Sequence, residues 1–79
     1  MFPQDLVTRM TDVRALTEPT LTEKDVREEL ESNVEEYIPF MEREGHDNPK
    51  RAAIGLVVEQ AERDIYWLQQ RYDALGESY

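Results

Sequence analysis

Cysteine is absent from this chain of 79 residues, and histidine occurs once, at His46. Without cysteine the chain has neither a disulfide framework nor a thiolate-ligated metal site. The histidine does not stand in the helical spacings with glutamate that build zinc or di-iron centres. The only serines, Ser32 and Ser78, have no histidine spaced to activate them. We therefore expect no metal, no cofactor and no catalytic residue.

Positive charge is also scarce, because 9 lysines and arginines stand against 18 aspartates and glutamates, which gives a net charge of −9. This balance argues against direct binding to nucleic acid or to anionic membranes, since both need a cationic surface. No apolar run approaches the ~20 residues of a membrane span. The opening MFPQDLVTR lacks the basic-then-apolar order of a signal peptide. The sequence predicts a cytoplasmic protein.

The third shortage is of length. A chain of this size buries only about 60% of the surface that its unfolded form exposes. The total burial energy of a small core is smaller than the total ordering cost, which is roughly 1.5 kcal/mol for each residue, unless more surface is covered. With no disulfide and no metal to help, a second chain is the natural source of that extra burial. We therefore expect a single domain over residues 1–79 that forms a dimer.

What the sequence does contain is three helical segments, and strand-type alternation is missing, so the fold class is all-α. The first helix is predicted over residues 3–17, because Pro3 suits a first helical turn and Asp5 favours the positive end of the helix dipole. One face of this helix is apolar and is predicted to be buried: Leu6, Met10, Val13 and Leu16.

The second helix is predicted over residues 22–44. Thr22 and Asp25 have the spacing of a capping box, and Gly45 suits the end of the helix. Pro39 removes one backbone hydrogen bond, so a kink or break is predicted near residues 38–39. The predicted core face consists of Val26, Leu30, Val34, Tyr37 and Met41.

The third helix is predicted over residues 49–75, with Asn48 as its N-cap and Gly76 as its C-terminal cap. Its apolar residues follow a heptad spacing that is typical of a buried seam in a helical bundle. The seam comprises Ile54, Val58, Ala61, Ile65, Leu68, Tyr72 and Leu75. The predicted architecture is thus a three-helix bundle of antiparallel helices, with a kinked second helix and a long third helix.

Trp67, the only tryptophan, does not belong to this seam. At about 100° per residue it points roughly 130° away from the centre of the seam. It belongs to a second stripe that contains no acidic residue: Leu56, Gln60, Arg63, Trp67, Gln70 and Ala74, flanked by Arg71. Tryptophan and arginine are enriched at the centres of protein interfaces. The stripe therefore predicts a partner-binding surface; the alternatives are a wide core that covers Trp67 and an exposed tryptophan without a role.

The second helix carries an acidic face on which Glu28, Glu31 and Glu35 project to one side. Such a face is typical of a solvated helix. Its functional alternative is a surface for a cationic partner, which includes imitation of a nucleic acid backbone.

Together these features predict a small acidic protein-binding module, not an enzyme, that acts as a regulator, inhibitor or adaptor by occluding or scaffolding a partner protein. Its size and composition fit a protein encoded by a virus or mobile element. A homodimer through residues 49–75 is the first expectation for the contact. The alternatives are a nucleic acid mimic that occupies the cationic groove of another protein, and a structural assembly subunit.

Overall fold

Three α-helices make up the part of the chain that a computed structural model describes, which is the backbone of residues 2–77 and the side chains of residues 2–73. They are α1 (Gln4–Arg14), α2 (Glu23–Arg43) and α3 (Pro49–Glu77), and each packs against the other two. The described residues contain no strand. The all-α fold with three packed helices is confirmed.

The starts of α2 and α3 are capped as the sequence predicts. The Thr22 hydroxyl accepts a hydrogen bond from the Asp25 amide at 3.1 Å, and the Asp25 carboxylate accepts one from the Thr22 amide at 3.1 Å. These bonds from Thr22 lower the pKa of Asp25. Asn48 likewise accepts a hydrogen bond from the Arg51 amide at 3.1 Å and caps α3.

Gly45 ends α2 as predicted, and its φ of 81° is the reason that glycine stands there. The amides of Gly45 and His46 donate to the carbonyls of Glu42 and Met41 at 3.1 Å and 3.2 Å. This pair of bonds is a Schellman motif. The turn directs the chain back along α2, so the loop of residues 44–48 joins two antiparallel neighbours.

The core lies between the three helices, and α3 makes its more extensive contacts with α2. No polar or charged side chain is buried within the described part of the chain. The buried residues come from all three helices and from the chain before α1: Phe2, Leu6, Val7, Met10, Val13, Val26, Leu30, Val34, Met41, Ala53, Val57, Ala61 and Ile65.

The prediction for α1 was too long. The helix ends at Arg14, and residues 15–17 form a turn. Because the helix ends at Arg14, the side chain of Leu16 does not lie on the buried face that includes Val13. Leu16 is 69% exposed, so its assignment to the core is wrong.

Pro39 lies within α2, which is assigned as one continuous helix from Glu23 to Arg43. The predicted break is therefore absent. Both Pro39 and Glu35 are exposed, so water can bond to the Glu35 carbonyl that the proline leaves free. The kink near residues 38–39 stays a prediction.

The seam of α3 also differs from the prediction. In the first half of the helix the buried residues are Ala53 and Val57, whereas Ile54 and Val58 are half-buried against the same core. Ala61 and Ile65 are buried as predicted, and Leu68 and Tyr72 are half-buried. Leu75 and Ala74 lie outside the side chains that the structure describes. The helix continues through Gly76 to Glu77, so the predicted cap at Gly76 is wrong.

Candidate functional site

Two neighbouring aromatic side chains, Tyr66 and Trp67, are exposed on the second half of α3. Trp67 is 64% exposed and Tyr66 is 56% exposed. Their ring centroids lie 5.6 Å apart in an edge-to-face arrangement with an interplanar angle of 77°. Exposed large side chains of this kind are the usual anchors of protein interfaces, because they bury much apolar area for little lost conformational freedom.

The predicted second stripe divides into two halves. Leu56 and Gln60 are half-buried within the chain itself. Leu56 packs against the core, and Gln60 Oε1 accepts a hydrogen bond from the Tyr37 hydroxyl at 3.3 Å. Gln60 therefore contributes to the contact between α2 and α3, and Leu56 contributes to the packing around the core.

The other half of the stripe is accessible. Arg63, Trp67, Gln70 and Arg71 are exposed, and the Arg63 guanidinium lies 3.0 Å from the Glu59 carboxylate of the same helix. A partner could reach this half without any rearrangement of the bundle. The role of all six predicted residues in partner binding stays a prediction.

The spacing of the buried residues explains why the first half of the stripe is half-buried and the second half is exposed. Ala53, Val57, Ala61 and Ile65 follow one another in steps of four, and each step turns about 40° around the helix. At about 100° per residue, Ala53 points within roughly 40° of Trp67, whereas Ile65 points roughly 160° away from it. The side of α3 that packs into the bundle near Ala53 is therefore the side that faces outward near Trp67.

Where the buried side turns away, a groove of about 450 Å³ opens between the helices, and Trp67 lies at its edge. We call it the Trp67 groove. Its floor is formed by apolar residues from all three helices: Met10, Val26, Leu30, Val57, Ala61 and the half-buried Leu68. The lining also includes the polar side chains of Thr17, Asn33 and Gln60. A volume of this size is typical of ligand-binding pockets, which are apolar with a few polar groups at the edge.

The groove is also lined by an ion-pair network around Arg14. Its guanidinium lies 2.7 Å from Glu18 and 2.5 Å from Glu29, so it ties the end of α1 to the following loop and to α2. The hydrogen bond to Glu18 is the main cause that raises the pKa of Arg14; burial acts in the opposite direction, and the bond to Glu29 raises the pKa further. The hydrogen bond from Arg14 lowers the pKa of Glu18. Arg14 and Glu18 therefore both stay charged at neutral pH.

Asp64 supplies a further carboxylate to the lining of the groove. It is exposed, and among the described residues it has no ion-pair partner within 4.0 Å. Asp64 and Trp67 are one helical turn apart, so their Cβ atoms are about 5–6 Å from each other. The edge of the groove thus carries three carboxylates and one guanidinium.

Three members of this site were not predicted from the sequence: Tyr66, Asp64 and Arg14. Tyr66 and Asp64 could have been found, because they stand directly beside Trp67 and one turn before it. Arg14 could not, since its contact with Glu29 depends on how α1 packs against α2.

The acidic face of α2 lies outside this groove. Glu28, Glu31 and Glu35 are exposed, and within the described residues none of them forms an ion pair. Their neighbour Glu29 belongs instead to the Arg14 network. The three carboxylates are therefore accessible, which both a solvated face and a binding surface require.

Among the side chains that the structure describes, no group of three His, Asp or Glu residues could hold a metal ion. None of the three helices, over the residues described, combines the length and apolar character needed to cross a bilayer. Comparison with known protein families, curated proteins and solved structures finds no match to this chain. The site defines a small acidic helical protein with an accessible tryptophan at the Trp67 groove.

Proposed function

We propose that this protein is a protein-binding module and that the Tyr66–Trp67 surface is its contact with the partner. The single observation that carries the proposal is that the only tryptophan is 64% exposed at the edge of an apolar groove. An apolar centre with a polar edge is the usual anatomy of a protein interface. The indole supplies the anchor, and the arginine and glutamine side chains around it supply polar contacts.

The mode of action we propose is steric. An apolar floor with charged groups at its edge is sufficient to hold a partner. A regulator, inhibitor or adaptor needs no more than this, because covering or connecting surfaces of a partner is sufficient to change what the partner does.

The predicted homodimer through α3 is the form of this proposal in which a second copy covers the aromatic pair. Closed two-fold pairs are the commonest oligomers, and the small core favours additional burial. Repulsion between two chains of net charge −9 opposes it. Sedimentation equilibrium decides between a species of 9.3 kDa and one of twice that mass.

The test of the proposed function is capture of partner protein from cells that express this chain, with wild type, Trp67→Ala and Phe40→Ala compared in parallel. Phe40 is a matched control, because it is also an exposed aromatic residue but lies near the C-terminal end of α2. Removing a tryptophan anchor costs ≥ 2 kcal/mol of binding, or about 30-fold in affinity. We expect Trp67→Ala to lose the partner and Phe40→Ala to retain it, with both variants unchanged in unfolding midpoint. Equal retention by both variants, or equal loss, would contradict the proposal.

A second candidate is mimicry of a nucleic acid, which the free and accessible carboxylates of Glu28, Glu31 and Glu35 favour. The same capture distinguishes the two when it is washed at high salt. At about 1 M salt the screening length falls to about 3 Å, so contacts made by exposed carboxylates are released. A contact centred on Trp67 persists under that wash.

A further inference from the structure

The edge of the Trp67 groove is electrically asymmetric. Glu18, Glu29 and Asp64 line it together with one cation, Arg14, which is already engaged by two of the three carboxylates. The groove therefore presents an apolar floor inside a negatively charged edge. A ligand that fits both features must carry apolar and cationic groups on the same face.

Asp64 and Trp67 add a more specific feature. They project from consecutive turns of α3 toward the same groove, and the Asp64 carboxylate has no cationic partner among the described side chains. The face of an indole attracts a cation, and tryptophan does so most strongly of the aromatic residues. An arginine can stack its planar guanidinium on the indole while it donates hydrogen bonds to a carboxylate. Asp64 and Trp67 are thus placed to receive one arginine or lysine side chain together.

We propose that the occupant of the Trp67 groove is a basic amphipathic helix of a partner protein. Its apolar residues pack against Trp67 and the half-buried Leu68. Its cationic residues meet Asp64, the face of Trp67 and the one Glu29 oxygen that Arg14 does not engage. This inference rests on the proposed function and names the chemistry of the partner. Charge complementarity selects this occupant over a second copy, because another chain of net charge −9 would bring further carboxylates against the edge.

The test uses the full chain and a fluorescently labelled model peptide of about four helical turns, with leucines at helical spacing and lysine and arginine elsewhere. Two further peptides serve as controls: one replaces the cationic residues with glutamate, and one scrambles the order so that the apolar face is lost. Fluorescence anisotropy measures the dissociation constants. We expect the basic amphipathic peptide to bind at least tenfold more tightly than either control.

A matched pair of variants locates the contact. Asp64→Lys and Glu31→Lys make the same change of charge at exposed helical positions, but only Asp64 lines the groove. We expect Asp64→Lys and Trp67→Ala each to weaken the peptide at least tenfold, and Glu31→Lys to leave it within about twofold. Equal weakening by the two lysine variants, equal binding of the scrambled peptide, or no binding of the basic peptide overturns the proposal.

The outcomes separate this inference from the function on which it rests. If partner capture depends on Trp67 while the basic peptide does not bind, the protein-binding function stands and the basic chemistry is wrong. If the peptide binds as described while capture does not depend on Trp67, the preference of the groove stands and the proposed function is wrong. If the chain sediments as a dimer in which Trp67 is covered, the occupant of the groove is a second copy and the proposal of a basic helix is wrong.

Discussion

Replacing Leu6 with alanine is expected to remove about 2–5 kcal/mol from the free energy of unfolding. Leu6 is 1% exposed and lies in the cluster where all three helices meet, so its truncation leaves a cavity as well as lost burial. A chain of this length has a total stability of roughly 4–12 kcal/mol. The variant is therefore expected to lose a large share of its stability and to unfold at a clearly lower urea concentration, as followed by circular dichroism.

Leu16→Ala is the matched control, because the same side chain is truncated in the turn that follows the same helix. Leu16 is 69% exposed, so its truncation is expected to change the free energy of unfolding by less than about 0.5 kcal/mol. The sequence pattern places both leucines on the predicted buried face of the first helix, whereas the structure buries Leu6 and exposes Leu16. A loss at Leu16 as large as the loss at Leu6 would show that α1 extends to residue 17 and packs as the sequence predicts.

The second large effect is expected in the first turns of α3, where two identical residues stand side by side. Ala53 is 0% exposed, whereas Ala52 is half-buried. Ala53→Asp places a carboxylate among apolar side chains with no partner, which costs about 3–5 kcal/mol. Ala52→Asp leaves its carboxylate within reach of water and is expected to cost less than about 1 kcal/mol.

This pair tests the register of α3 with the chemistry held constant. Both substitutions place the same charge near the start of the helix, where the dipole affects them alike. Urea midpoints and the far-ultraviolet dichroism of the two variants give the difference. If Ala52→Asp unfolds the protein and Ala53→Asp does not, the helix is rotated relative to the structure.

Local chemistry at helix ends is what the sequence predicts well here. Thr22 with Asp25, Gly45, and Asn48 each act through atoms a few residues away, so their pattern in the sequence is sufficient to place them. The end of α1 is different, because nothing in the residues around Leu16 distinguishes a last helical turn from the turn that the chain adopts.

The groove could be predicted only in part. The exposure of Trp67 follows from its position outside the apolar seam, which the spacing of α3 makes visible. The groove itself depends on how far α2 and α3 separate and on where Arg14 meets Glu29, and both are set by packing between distant segments. The buried position at the start of α3 is occupied by Ala53 and not by the predicted Ile54 for the same reason. Small alanines admit a close approach of helices, which heptad spacing alone does not reveal.

Trp67 is accessible in the free chain, and acrylamide quenching of its fluorescence measures that accessibility. Trp67 is the only tryptophan, so the whole signal comes from one indole. We predict that the quenching constant of the folded protein is a large fraction of the value in denaturant and does not change as the protein is concentrated. A quenching constant close to zero in dilute folded protein would mean that the indole is covered by its own chain or by a second copy, and would contradict the account.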